Sequence, residues 1–196
     1  DVTAHGVSIF AALADGDEQG FLSGTSMSSP HSAGAHALMS ALYPDWSPYE
    51  IKSAIMLSAD SSAMLKEDGA TPADPFDYGA GRVDLQAAKE AGLILSITPD
   101  EFIDSDPGAG GDPKTLNVPS MMNSACVGVC SWTRTVTNPD TSTSHWNVTA
   151  SGPDGLGLDV AVSPEANSDD YNMKLKKGQS AELTITADTS LWGSRN

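Results

Sequence analysis

The feature that most constrains this chain is a change of period part-way along it. Up to residue 98 the apolar residues recur at helical spacing, as in Ala35, Leu38, Met39 and Leu42, three and four apart. From residue 114 they alternate or are β-branched. Ser131-Trp132-Thr133-Arg134-Thr135-Val136-Thr137-Asn138, Trp146-Asn147-Val148-Thr149, Leu158-Asp159-Val160-Ala161-Val162 and Ala181-Glu182-Leu183-Thr184-Ile185-Thr186 read as short strands separated by turn residues. The first pattern predicts a helix-rich α/β unit over 1–98, and the second an antiparallel β-sandwich over 114–196. Between them, residues 99–113 take the Asp, Gly and Pro composition of a solvated acidic linker.

Within the first unit, helix boundaries are marked locally. Ser26 opens a helix, with Pro30 near its first turn, where a missing donor is least costly. Ser47-Pro48-Tyr49-Glu50 is a capping box that predicts a helix to about Ser58, burying Ile51, Ala54 and Ile55. Asp84 predicts the cap of a third helix, running through Ala91 and ended by Gly92.

The first of these helices begins in Gly24-Thr25-Ser26-Met27-Ser28-Ser29-Pro30-His31, a stretch that resembles the nucleophile segment of the subtilisin-like serine proteases, and this resemblance makes Ser26 the candidate nucleophile. A serine hydroxyl attacks poorly at neutral pH unless a base takes its proton and donors hold the oxyanion that forms. A helix start supplies the second need, because its first N–H groups are unpaired and carry partial positive charge. The backbone N–H of Ser26 is therefore a candidate oxyanion donor. Four histidines could serve as the base. His5 reads as a surface or loop residue rather than a catalytic one. His31 and His36 follow Ser26 by five and ten residues, offsets that do not stack on one helix face. Both read as helix-packing residues, and His145 lies in a strand pattern with no chemistry to assign to it.

The likeness to these proteases, the subtilases, extends on both sides of the stretch from Gly24 to His31. Asp1-Val2-Thr3-Ala4-His5-Gly6-Val7-Ser8-Ile9 resembles the segment before it in that family, with His5 where the family has proline. Tyr43-Pro44-Asp45-Trp46-Ser47-Pro48 with Ile51-Lys52-Ser53-Ala54, and Pro75-Phe76-Asp77-Tyr78-Gly79-Ala80-Gly81-Arg82-Val83, resemble segments that follow it, so the likeness reaches about residue 92. Leu116-Asn117-Val118-Pro119-Ser120 with Trp132 to Asn138 resembles the fibronectin type III-like domain found after the catalytic domain of larger subtilases.

This resemblance implies a fold and a function. The fold is the C-terminal portion of a subtilisin-like α/β catalytic domain followed by a β-sandwich truncated at Trp192-Gly193-Ser194-Arg195-Asn196. The function is that of a serine endopeptidase, secreted or extracellular or periplasmic, acting on protein or peptide through an acyl-enzyme on Ser26. In the subtilisin order acid, base, serine, the acid, the base and the oxyanion asparagine would lie upstream of Asp1. The chain alone is then expected to be inactive and to need the upstream part of the same domain. Two other readings stand beside this one: a pseudo-protease scaffold, and an accessory β-sandwich that binds substrate or partner.

Composition narrows the field. Ten Lys and Arg against 26 Asp and Glu give a net charge of −16, which repels phosphate backbones and anionic lipid and argues against nucleic-acid binding. No apolar run reaches the length of a membrane span. Cys126 and Cys130, with Val127-Gly128-Val129 between them, read first as a local disulfide in an oxidising compartment, with free thiols next. Zinc would need more ligands than this pair. Asp104 and Asp106 suggest a calcium loop, but the EF-hand pattern fails at Ala109 and Thr115. No cofactor is identified, while other calcium geometries, including structural calcium in the longer protein, stay open. Asn147-Val148-Thr149 fits a glycosylation sequon. Trp132 and Trp146 read as core rather than as an exposed binding surface.

Overall fold

The computed structural model describes residues 1–196 except Asp15, Asp17, Asn167 and residues 191–196. The chain divides after Ala91 into two units. The first opens with a hairpin of β1 (Ile9–Ala12) and β2 (Gln19–Leu22), antiparallel with Ile9 opposite Leu22. Four helices follow: α1 (Thr25–Leu42), α2 (Pro48–Leu57), α3 (Pro75–Tyr78) and α4 (Leu85–Ala88). α1 packs on α2 and α2 on α4. Their facing sides bury Ala35, Met39, Ile51, Ala54, Ile55, Met56 and Ala88, and removing this apolar surface from water holds the helices together.

α2 forms where the sequence predicts it. The Glu50 N–H donates to Ser47 Oγ at 3.2 Å, the Ser47 N–H donates to the Glu50 carboxylate at 2.7 Å, and Pro48 takes the first helical position. α4 is shorter than expected. Asp84 caps it through the Ala87 N–H at 3.0 Å, but the Glu90 and Ala91 N–H groups close on the Ala87 and Ala88 carbonyls as a tight turn. The Lys89 carbonyl is taken by the Tyr43 hydroxyl. In α1, Pro30 lies inside the helix beyond the first turn, where its missing N–H removes the bond to the Ser26 carbonyl. The stripe read from α1's periodicity is only half buried, since Leu38 and Leu42 are 64% and 53% exposed. Among the described residues the strand content of this unit is the hairpin and isolated bridges, Thr3 and Asp60 each pairing with Arg82. The helix-rich part of the expected architecture is present, without an extended parallel sheet.

The second unit starts at Gly92, not after residue 98. Ile94 pairs with Thr137, and Leu95 joins a core of Val136, Met173, Leu175 and Ala181. Residues 99–113 are likewise more ordered than a bare linker. Thr98 and Glu101 form a capping box for α5 (Pro99–Asp104), and Asp106 and Asp112 cap two short turns at Pro107–Ala109 and Pro113–Thr115. Five strands then follow: β3 (Val129–Thr137), β4 (Ser144–Trp146), β5 (Gly157–Ser163), β6 (Met173–Leu175) and β7 (Ser180–Asp188). They make two antiparallel sheets, ordered β3-β7-β5 and β4-β6. The expected truncation of the sandwich at Trp192 to Asn196 falls on residues outside the described ones.

Three polar devices pin this unit. Arg134 is 4% exposed and donates to the carbonyls of Val118, Lys114, Thr133 and Ser120, which fastens residues 114–120 to β3. Desolvation lowers its pKa from the ordinary arginine value. Asn138, at 0% exposure, ties the turn after β3 to β6. Cys126 and Cys130 are bonded, with Cα atoms 5.8 Å apart, and tie the segment before β3 to the strand's second residue. Trp146 packs against the core, while Trp132 is half-buried with Nε1 unpaired among the described residues.

Candidate nucleophile site

Ser26 is the second residue of α1 and is exposed. Gly24 precedes the helix at φ 148° and ψ 173°, a conformation that a side chain would resist. Its N–H donates to the Gly6 carbonyl at 2.7 Å, and its own carbonyl accepts from the N–H groups of Met27 at 3.0 Å and Ser28 at 3.3 Å. Gly24 offers no side-chain cap. The N–H groups of Thr25 and Ser26 are left without an acceptor among the described residues, at the positive end of the helix. Such donors can hold an anionic oxygen.

The preceding segment is fastened along this helix start. Ser28 Oγ donates to the Ala4 carbonyl at 3.0 Å, and the Ser8 N–H donates to Ser23 Oγ at 2.8 Å. Gly6 lies so close that a Cβ there would sit 2.8 Å from the Gly24 carbonyl oxygen and 3.1 Å from Ser28 Cβ. The glycine is required by the close approach of two backbones.

The contacts that the histidines make among the described residues are not with Ser26. His31 Nδ1 lies 2.9 Å from the Met27 carbonyl and His36 Nδ1 2.9 Å from the Ser32 carbonyl, each turned back along its own helix. His5 and His31 meet instead, with ring centroids 6.0 Å apart at an interplanar angle of 62°. They line a cleft of about 430 Å³ with Thr3, Ala4, Arg82 and Asp84, and Ser26 is not part of that lining. Arg82 is paired with Asp60 at 3.1 Å. The Asp60 carboxyl is held below its ordinary value, chiefly by the Ser62 hydroxyl and N–H and further by Arg82. His145, in the second unit, packs on Tyr171 at 4.5 Å between centroids.

The acidic segment does not assemble a calcium ligand set. Asp106 Oδ1 accepts from the Gly108 N–H at 2.8 Å and Asp112 Oδ1 from the Lys114 N–H at 3.0 Å, so both carboxylates serve as turn caps. Among the described residues no three His, Cys, Asp or Glu side chains converge as metal ligands.

Sequence reasoning missed the β1–β2 hairpin and the fastening of residues 4–8 to α1. A signal for the first was present: an Asp15-Gly16 dipeptide between two short apolar runs is a hairpin signature. The second has no local signal, because its hydrogen bonds join residues distant in sequence.

Residues 1–81 match the model of the subtilase family, peptidase S8. They belong to that family. Residues 115–195 match a fibronectin type-III domain. Among similar proteins, the subtilisin-like protease SBT3.9 of Arabidopsis thaliana is 35% identical over 202 residues, covering 87% of this chain and 26% of that protein. The subtilisin-like proteases SBT3.5 and SBT1.7 of Arabidopsis thaliana are 36% and 32% identical, each covering 97% of this chain and 28% and 30% of their own lengths. The chain thus spans roughly a quarter of the length of the curated relatives it matches. Among the described residues of the subtilase segment and the unit that follows it, no helix is long and apolar enough to cross a membrane.

Proposed function

We propose that Ser26 is the nucleophile of a secreted serine endopeptidase, whose catalytic domain includes residues 1–91 and is followed by the β-sandwich. The observation that carries this reading is the position of Ser26 in the first turn of α1, with two unpaired N–H groups, among the described residues, beside a glycine that offers no side-chain cap. In the reaction Ser26 Oγ adds to a peptide carbonyl while a base takes its proton. The N–H of Ser26 donates to the oxygen that becomes negative, and collapse expels the amine and leaves an acyl-enzyme that water hydrolyses.

The base comes from outside these residues. The histidine contacts among the described residues are with Met27, Ser32, Tyr171 and between His5 and His31, not with Ser26, and the relatives are about four times longer than the part matched here. The exposed apolar side chains Leu38, Leu42 and Leu57, with Phe10 and Phe21 on the hairpin, form the surface that the remainder of the catalytic domain covers. The chain taken alone is accordingly silent.

Active-site labelling tests the reading. A fluorophosphonate should label the longer protein at Ser26, and Ser26→Ala should abolish both labelling and peptide turnover. Undiminished labelling of the Ser26→Ala protein would refute the assignment. Labelling of residues 1–196 alone, at the rate of the longer protein, would show that a base lies within this chain.

A further inference from the structure

We propose that His5 and His31 form a binding site for a late first-row divalent cation, Zn²⁺ foremost, beside the start of α1. Their ring centroids are 6.0 Å apart and their planes are inclined at 62°. Zinc–imidazole bonds of about 2.0–2.1 Å, extended by roughly 1.1 Å to each ring centre, place two rings on one tetrahedral ion with centroids about 5 Å apart. The observed spacing is about 1 Å wider, a gap that rotation of the two exposed side chains would close.

The tautomer of His31 is set for ligation. Its Nδ1 lies 2.9 Å from the Met27 carbonyl oxygen, and a carbonyl only accepts, so the proton sits on Nδ1 and the Nε2 lone pair is free. A backbone carbonyl on the far nitrogen is the arrangement that orients metal-binding histidines. Both rings are exposed and border the cleft of about 430 Å³, which leaves room for water to complete a four-coordinate shell. The cation in that lining, Arg82, is paired with Asp60, and Asp84 adds negative charge to the same cleft. Two nitrogen donors favour zinc, copper or nickel over calcium or magnesium, which prefer oxygen.

An ion there would join residues 4–6 to α1 across the contact already made by Ser28 Oγ with Ala4 and by Gly24 with Gly6. It would stiffen the ground on which Ser26 stands, whether or not Ser26 is a nucleophile.

Calorimetric titration of Zn²⁺ and of Ni²⁺ into the full chain, in a buffer that does not chelate, tests the site. A single equivalent should bind. His5→Gln and His31→Gln should each weaken binding at least about tenfold, and His36→Gln should leave it unchanged. A smaller loss in either of the first two, or an equal loss in the third, overturns the proposal. A second readout needs no substitution: Ni²⁺ should broaden the imidazole signals of His5 and His31 before those of His36 and His145. Simultaneous broadening of all four would refute a defined site.

Discussion

Replacing Gly6 by alanine probes the contact that positions Ser26. The new Cβ would lie 2.8 Å from the Gly24 carbonyl oxygen and 3.1 Å from Ser28 Cβ. The first of these atoms is backbone, and it is the acceptor for the Met27 and Ser28 N–H groups that close the first turn of α1. No rotamer change relieves such a contact, so residues 4–8 must move away from the helix. Overpacking of this kind costs about 1–3 kcal/mol. Loss of the 2.7 Å bond from the Gly24 N–H to the Gly6 carbonyl adds about 0.5–1.5 kcal/mol. Reduced freedom of the unfolded chain returns about 0.4–1 kcal/mol. The net local destabilisation is then roughly 0.5–4 kcal/mol, the balance of overpacking, lost hydrogen bond and unfolded-state entropy. Native-state hydrogen exchange reads this directly. A change of about 2 kcal/mol should make the Met27 and Ser28 amides exchange roughly 30-fold faster, with the central amides of α2 as the internal reference. Unchanged exchange at Met27 and Ser28 would show that the close approach of Gly6 does not support the nucleophile segment.

Two further predictions concern polar groups elsewhere. Asn138→Ala removes the donor to the buried Leu175 carbonyl at 2.9 Å, the donor to Ser142 at 3.0 Å and the acceptor for the Asp140 N–H at 2.9 Å. The orphaned Leu175 carbonyl alone should cost about 1–3 kcal/mol, read as a lower urea midpoint by tryptophan fluorescence, and an unchanged midpoint would contradict it. Asp68 has its pKa lowered to about 2, chiefly by the Thr71 hydroxyl and next by the Ala70 and Thr71 N–H groups. A depressed carboxyl supports its turn above the unfolded value of 3.8, and that support fades as pH falls from there through about 2. Carboxyl-carbon NMR should follow this titration, and a midpoint at the ordinary value would refute the hydrogen-bonded turn.

The features legible in the sequence are those decided within a few residues. Ser47, Pro48 and Glu50 contain all the groups that start α2, and Asp84 with Ala87 those that start α4, so their beginnings could be read directly. The alternation of β3, β5 and β7 was equally legible, because one half-buried face imposes period two on each strand. Ser26 was singled out by the likeness of Gly24 to His31 to the subtilase nucleophile segment, since a helix start alone does not distinguish it from Ser28 or Ser29. β6 was not legible, since three residues carry too little pattern and Met173 and Leu175 are buried by partners far along the chain. Nor could periodicity show that Met39 is buried while Leu38 and Leu42 stay exposed, because that depends on where α2 lies. Residues 92–98 look like an ending of the first unit until Ile94 is seen against Thr137. Caps and strand alternation are local hydrogen-bond and solvation choices, which the sequence alone determined. The burial of a helix face, the approach of Gly6 to Gly24 and the meeting of His5 with His31 depend on surfaces brought together from distant segments, and only the tertiary structure decided them.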